Sequence, residues 1–171
     1  MRLFTAINFN SDTLSKLLVI RDELKSQSSS GNFVLPENLH LTLVFLGDCD
    51  KKQADYVKNA MDDVKFAPFE ILIERIGRFK RDNGDIWWAG IRENKPLQDM
   101  QRCLSENLIR AGFILENKQY KPHITLGRKV VTEMKPRQIE PFGQTCSSID
   151  LMKSERINGK LIYTSIHQRN T

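Results

Sequence analysis

Two short stretches, residues 35–48 (LPENLHLTLVFLGD) and residues 120–128 (YKPHITLGR), carry the pattern that decides the fold. After a proline, each stretch alternates aliphatic and polar residues, which is typical of a β-strand with one buried face. They contain HLTL at residues 40–43 and HITL at residues 123–126, so the pattern His-aliphatic-Thr-Leu occurs once in each half of the chain. The sequence therefore predicts a similar strand in each half.

The spacing within each motif has a structural meaning. On a strand, residues i and i+2 point to the same face, whereas residue i+1 points to the other. His40 and Thr42 would project together, as would His123 and Thr125, while the aliphatic residues between them enter the core. Two such strands facing one cleft would place two imidazoles and two hydroxyl groups around one small anion.

Chance is a poor explanation for the repeated motif. The chain has three histidines, and Thr fills only 8 of its 171 positions. A given His would therefore have Thr two residues later in about 5% of cases, which makes two such pairs by accident improbable. His167 has no matching Thr and lies near the C-terminus, so we expect it to be structural.

The four motif residues suit acid–base chemistry on a phosphate. Imidazole titrates near neutral pH, so one of His40 and His123 can act as a base while the other acts as an acid. The hydroxyl groups of Thr42 and Thr125 can donate hydrogen bonds to phosphoryl oxygens. This chemistry requires no metal, and we expect no cofactor.

Elsewhere the chain mixes helices with antiparallel hairpins, without a regular alternation of strand and helix, which favours an α+β fold. Asn83-Gly84 and Asn158-Gly159 are hairpin signals. Residues 26–32 are predicted to be a loop, and residues 133–139 to be helical or irregular. The predicted strands are residues 2–9, 39–46, 69–79, 85–91, 120–126, 144–156 and 160–167, and the predicted helices are residues 14–25, 51–64 and 97–111.

Composition limits the classes of function and location. With 26 Lys and Arg against 21 Asp and Glu, the formal net charge is +5, which favours an anionic partner. Cys49, Cys103 and Cys146 are scattered and odd in number, which indicates reduced thiols and a cytoplasmic protein. No apolar run approaches the ~20 residues of a membrane span, and the N-terminus lacks a signal-peptide core. We expect no membrane partner.

The chain resembles the 2H phosphoesterase superfamily, which is named for two His-x-Thr motifs, and within it the RNA 2′,3′-cyclic phosphodiesterases, also called 2′-5′ RNA ligases. RLFTAINF at residues 2–9 and the two stretches quoted above carry the resemblance, which covers roughly residues 1–128. It implies a single bilobal domain over residues 1–171. Its two lobes would be related by a pseudo-twofold axis, with antiparallel sheets lining a central cleft and helices on the outside.

The resemblance also implies an activity and a role for each site residue. The family hydrolyses a terminal 2′,3′-cyclic phosphate on RNA to a 2′-phosphate. By this resemblance His123 would be the proton acceptor, His40 the proton donor, and Thr42 and Thr125 would bind the phosphate. Arg128 would be a further phosphate-binding residue, although strict alternation puts it on the face opposite His123 unless Gly127 ends the strand and turns it.

Other functions remain open at this level. The same residues could act on a small cyclic nucleotide, a 2′-5′ oligonucleotide or a cyclic phosphate of an ADP-ribose derivative, and reverse ligation through a 2′-5′ bond is chemically allowed. A non-catalytic RNA- or nucleotide-binding module is the alternative of another class. We expect the partner to be RNA with a cyclic phosphate end or a small nucleotide, and the protein to be a monomer.

Aromatic and basic residues near the motifs complete the candidate site. Phe45 shares the parity of the aliphatic residues of its strand, so we expect it in the core. Trp87 and Trp88 should point to opposite faces, one into the core and one towards the cleft. Lys121, which shares the parity of His123, is the basic residue most suited to guide a polynucleotide.

Overall fold

The computed structural model describes residues 1–171 and contains two antiparallel sheets and three helices. The first sheet has the strand order β3-β1-β8-β9, and the second has the order β2-β6-β5-β4-β7. The predicted α+β class is confirmed. The helices are α1 (Ser11–Ser26), α2 (Lys51–Asp62) and α3 (Lys95–Arg110), and the strands are β1 (Arg2–Ile7), β2 (Ser28–Phe33), β3 (Leu41–Asp48), β4 (Phe69–Phe79), β5 (Asp85–Ile91), β6 (His123–Thr132), β7 (Arg137–Cys146), β8 (Ser148–Ile157) and β9 (Lys160–Asn170).

The two sheets repeat one arrangement. In the first lobe, β1 leads through α1 to β3, which pairs antiparallel with β1. In the second lobe, β5 leads through α3 to β6, which pairs antiparallel with β5. On its other side β1 pairs with β8, and β5 pairs with β4. The order β3-β1-β8-β9 thus recurs as β6-β5-β4-β7, with β2 added beside β6, and this repeat places the two motif strands at equivalent positions.

The helices lie outside the sheets and begin at side-chain caps. Asn10 accepts a hydrogen bond from the backbone of α1, Asn94 does the same for α3, and Asp50 forms a reciprocal capping box with Gln53. The helix α1 packs on β2, β6 and β7 of the second sheet, and α3 packs on α2 and on β3 of the first. A continuous core of 33 buried residues joins the two lobes. None of the three helices has the length and apolar composition that crossing a membrane requires.

Two polar edge strands depart from the sequence expectation. The loop predicted at residues 26–32 instead contains most of β2 (Ser28–Phe33), which pairs with β6. The irregular stretch predicted at residues 133–139 includes the start of β7, and the single strand predicted over residues 144–156 is divided between β7 and β8. Both β2 and β7 are edge strands held by backbone hydrogen bonds, so they need no regular apolar face, and the edge position also tolerates Pro141.

The two predicted hairpins are confirmed. Gly84 lies between β4 and β5 with φ of 102°. Asn158 and Gly159 join β8 to β9 with φ of 52° and 78°, the left-handed pair that a tight two-residue hairpin requires.

Candidate active site

A β-bulge lies directly after the His-x-Thr motif of β3. Thr42 and Val44 pair with consecutive residues of β1, so Leu43 is an extra residue in the ladder. Leu43 and Val44 are both buried, and the next residue, Phe45, is 55% exposed and lines the cleft. The prediction that Phe45 belongs to the core is therefore wrong, because the bulge reverses the alternation beyond Leu43.

The second motif strand has the same bulge. Thr125 and Gly127 pair with consecutive residues of β5, which leaves Leu126 as the extra residue. Leu126 and Gly127 are both buried, and Arg128 then returns to the face that carries His123. The alternation argument that placed Arg128 on the opposite face is wrong for this reason. Arg128 lines the cleft at the position that Phe45 occupies in the first lobe.

His40 is held at both ring nitrogens. Its Nδ1 lies 2.6 Å from the carbonyl oxygen of Asn38, and its Nε2 lies 2.8 Å from the hydroxyl of Thr42. The ring packs against Phe4 and Tyr163, with centroid distances of 4.9 and 5.3 Å. Burial among these groups lowers the pKa of His40 below its ordinary value of 6.5, because the cation loses its hydration.

His123 is oriented in the same way in the second lobe. Its Nδ1 lies 2.7 Å from the carbonyl oxygen of Lys121, and its Nε2 makes no hydrogen bond to the protein. Phe79 and Trp88 flank the ring at centroid distances of 5.1 and 6.4 Å. Burial lowers the pKa of His123 below 6.5, and the positive charge of Arg128 lowers it further.

The carbonyl contacts fix the tautomer of both rings. A carbonyl oxygen can only accept a hydrogen bond, so Nδ1 of His40 and of His123 must carry the proton. The Nε2 atom of each neutral ring is then a base, and the same atom becomes a proton donor when the ring is cationic. Both rings are thus prepared for proton transfer at the nitrogen opposite the backbone contact.

Two grooves meet at the motif residues. The first groove, of about 740 Å³, is lined by both histidines and by residues of β1, β8 and β9. The second groove, of about 940 Å³, lies towards the segment before β6. Basic side chains outnumber acidic ones along both grooves, with Arg2, Arg128, Arg156, Lys118 and Lys121 against Glu116 and Glu155. The residues shared by the two grooves are Thr42, Phe45, His123, Thr125 and Arg128.

The other aromatic, basic and histidine residues considered in the sequence lie partly at the cleft and partly away from it. Trp87 is fully buried, whereas Trp88 lies on the cleft side beside His123. The two side chains thus point to opposite faces, as predicted, and Trp87 is the one in the core. Lys121 is exposed and lines the second groove. His167 bonds through Nε2 to Asp62 at 2.8 Å and takes no part in the cleft. No group of three or more His, Cys, Asp or Glu side chains is arranged to hold a metal ion.

Three further residues support the site and were not predicted. The buried Asn38 donates through Nδ2 to the carbonyl of Leu161, which anchors the turn that holds His40. Tyr163 of β9 packs against the ring of His40. Tyr120 donates its hydroxyl to the carbonyl of Thr42. Asn38 and Tyr120 lie inside the quoted stretches, but alternation alone gave no sign of contacts that cross between elements.

Paired lobes with a His-x-Thr strand in each define a 2H phosphoesterase architecture. Residues 7–88 match the family model described as LigT-like phosphoesterase. The RNA 2′,3′-cyclic phosphodiesterase of Methanothermobacter thermautotrophicus is 30% identical over 97% of this chain and 96% of that protein. The one from Archaeoglobus fulgidus is 34% identical over 75% and 72%. The chain belongs to the LigT-like phosphoesterase family, which confirms the resemblance seen in the sequence.

Solved structures show the same fold. Escherichia coli LigT complexed with 3′-AMP superposes with a TM-score of 0.86, over 99% of this chain and 97% of that one, at 22% identity. The Thermus thermophilus protein TT0787 gives a TM-score of 0.79 at 22% identity over 99% and 97%. These matches confirm the predicted arrangement of two antiparallel sheets with helices outside.

Proposed function

We propose that this chain is a single bilobal RNA 2′,3′-cyclic phosphodiesterase that leaves a 2′-phosphate, with His123 as the base and His40 as the acid. The observation that carries the proposal is that both imidazoles have Nδ1 fixed by a backbone carbonyl and that a Thr hydroxyl accompanies each ring in one cleft. The names of the curated relatives support the reaction and its substrate.

In the proposed reaction, water attacks phosphorus opposite the 3′ oxygen. Nε2 of His123, which has no protein partner, accepts the proton of the attacking water. The bond between phosphorus and the 3′ oxygen breaks, and Nε2–H of His40 protonates the departing oxygen. The 2′ oxygen keeps the phosphate, and the two histidines end the step with their protonation states exchanged.

Protonation of His40 would also prepare Thr42. When His40 is neutral, its Nε2 accepts the hydrogen bond of the Thr42 hydroxyl at 2.8 Å. When His40 is cationic, Nε2 becomes a donor, and the hydroxyl proton of Thr42 is free to turn towards a phosphoryl oxygen. Thr125 and the guanidinium of Arg128 line the same cleft and would stabilise the charge that develops on the phosphate.

The open, basic cleft favours a polynucleotide end over a small cyclic nucleotide alone. The exposed ring of Phe45 lies beside the reacting residues, with the guanidinium of Arg2 5.1 Å from its centroid. Such a pair can stack a nucleobase, while the basic groove walls attract the RNA backbone. A module that only bound RNA would have no need for two imidazoles with fixed tautomers, so this architecture favours catalysis.

The proposal is tested with an RNA that ends in a 2′,3′-cyclic phosphate, incubated with the protein in EDTA. We expect the cyclic end to open to a product that resists a phosphatase specific for 3′-phosphates. Substitution of His40 or His123 by Ala should abolish turnover, whereas His167→Ala, a matched change of the third histidine, should retain it. Intact cyclic ends with the wild-type protein, or full activity in either motif variant, would overturn the proposal.

A further inference from the structure

A separate pocket adjoins His123 on the side that carries Phe79 and Trp88. It has a volume of about 400 Å³, within the range of small-ligand sites. His123, Tyr120 and Lys121 belong both to this pocket and to the second groove, so the two spaces are neighbours. We call it the Trp88 pocket. None of the chemistry described above uses it.

The indole of Trp88 lies over backbone that only glycine allows. A Cβ atom at Gly77 of β4 would come within 2.3 Å of the indole, and one at Gly90 of β5 within 2.9 Å. The two glycines therefore let the ring lie close against both strands. Nε1 of Trp88 is buried without a hydrogen-bond partner, so the half-buried indole lines the pocket with its carbon atoms and not with its N–H. A ring presented in this way can bind by stacking.

The other walls suit a planar, polar heterocycle. The guanidinium of Arg75 lies 5.7 Å from the centroid of Trp88 and is held by a 3.0 Å bond to the carbonyl of Ile91. The ring of Phe79 lies 5.4 Å from that of Trp88. The side-chain amide of Gln98 lines the pocket and makes no hydrogen bond to the protein. These groups are two aromatic rings, a planar cation and an amide without a protein partner. Together they can recognise a nucleobase by stacking and hydrogen bonding.

The position of the pocket indicates which nucleobase it would hold. In an in-line displacement at phosphorus, the entering and leaving oxygens lie on opposite sides. With His40 at the leaving 3′ oxygen, the entering oxygen lies at His123. The group bonded to the entering oxygen therefore extends from the His123 side of the cleft. The ring centroid of Trp88 lies 6.4 Å from that of His123 on this side. For water this space stays unused, but a nucleoside entering through its 5′-hydroxyl would place its base there.

We propose that the Trp88 pocket binds the base of a second nucleoside, whose 5′ oxygen occupies the position of the attacking water. The inference rests on the proposed function. In the transfer, the 5′-hydroxyl gives its proton to His123, the bond from phosphorus to O5′ forms, the bond to O3′ breaks, and His40 protonates O3′. The product is a 2′-5′ phosphodiester. The reverse sequence cleaves such a linkage, so the pocket sets the preference for 2′-5′-linked substrates.

Fluorescence can test occupancy because the chain has two tryptophans and Trp87 is fully buried. A His40→Ala background prevents turnover, and the probes are a 2′-5′-linked diadenosine monophosphate and adenosine 2′-monophosphate. We expect the dinucleotide to quench the emission at least threefold more strongly than the mononucleotide, and Trp88→Phe to remove that difference. Equal quenching by both probes, or none by either, would overturn the pocket assignment.

Kinetics separate this inference from the proposed function. We expect Trp88→Phe and Gln98→Ala each to lower kcat/KM for the 2′-5′ dinucleotide at least about fivefold relative to kcat/KM for adenosine 2′,3′-cyclic phosphate. The side chain of Gln98 lines the pocket without a hydrogen bond to His123, so its variant remains informative if Trp88→Phe disturbs that ring. Equal losses on both substrates would show a structural role for the pocket and overturn the inference. Failure of the wild-type protein to open the cyclic phosphate end of an RNA would instead overturn the proposed function.

Discussion

The hydroxyl of Tyr120 donates a 2.8 Å hydrogen bond to the backbone carbonyl of Thr42 and so joins the two motifs across the lobes. Tyr120 lies three residues before His123, and Thr42 lies two residues after His40. Burial raises the pKa of Tyr120, so the phenol stays a neutral donor. The spacing of the two imidazoles, on which a concerted acid–base reaction depends, is thus fixed partly by one side chain.

Tyr120→Phe should therefore weaken catalysis more than stability. The substitution leaves the carbonyl of Thr42 without its side-chain donor, at a cost of about 1–3 kcal/mol in the free energy of unfolding. We expect kcat to fall at least about tenfold, since small displacements of catalytic groups are costly. Steady-state kinetics and denaturant unfolding measure the two effects. Tyr56→Phe is the matched control because Tyr56 is exposed, and equal activity of the two variants would contradict this role.

The pH–rate profile should be displaced towards acid. Burial lowers the pKa of both histidines below 6.5, and catalysis needs His40 protonated while His123 is neutral. As the pH rises above 6.5, the protonated fraction of His40 falls, so kcat/KM should decrease by up to about tenfold per pH unit. A profile of kcat/KM between pH 5 and 8.5 measures this decrease. A plateau that extends to pH 8 would show that the pair does not titrate as proposed.

The same pKa shifts predict how stability depends on pH. Because the folded-state pKa values of His40 and His123 are depressed, the unfolded chain binds more protons in the window just below pH 6.5. Their contribution to stability is fully present above pH 6.5 and is lost as the pH falls through the lowered pKa values. Thermal unfolding between pH 5 and 7.5 should show this loss. The double variant His40→Gln/His123→Gln should flatten the dependence, and an unchanged slope would disprove the link.

Arg128 should act on both the phosphate and His40. Burial is the main cause that lowers the pKa of His40, and the charge of Arg128 in the cleft lowers it further. Arg128→Gln should reduce kcat/KM by about 10- to 100-fold, through loss of charged hydrogen bonds to the phosphate, and should move the alkaline limb to higher pH. The control is Arg110→Gln at the exposed end of α3. A loss of activity without movement of the alkaline limb would show that Arg128 does not act on His40.

The sequence predicted the site up to each bulge and failed just beyond it. From the alternation of residues we correctly predicted that the aliphatic motif residues are buried and that both His-x-Thr pairs face one cleft. This succeeded because the side-chain pattern of a regular strand depends only on local sequence. The positions of Phe45 and Arg128 depend on extra residues in the ladders with β1 and β5, which only the partner strand reveals. The polar edge strands β2 and β7 were missed for a similar reason, since backbone pairing holds them.

The exposed position of Phe45 gives a prediction about RNA binding that a core residue would not allow. Phe45→Ala should raise KM for a cyclic-phosphate RNA by about 5- to 100-fold, because stacking on an aromatic ring contributes about 1–3 kcal/mol per base. The melting temperature should change little, since the ring is 55% exposed. Phe45→Tyr keeps the aromatic face and should restore KM, whereas Phe45→Leu, which keeps apolar bulk without a ring, should not. Equal KM values for the Leu and Tyr variants would show that the ring packs against the chain and does not stack on a base.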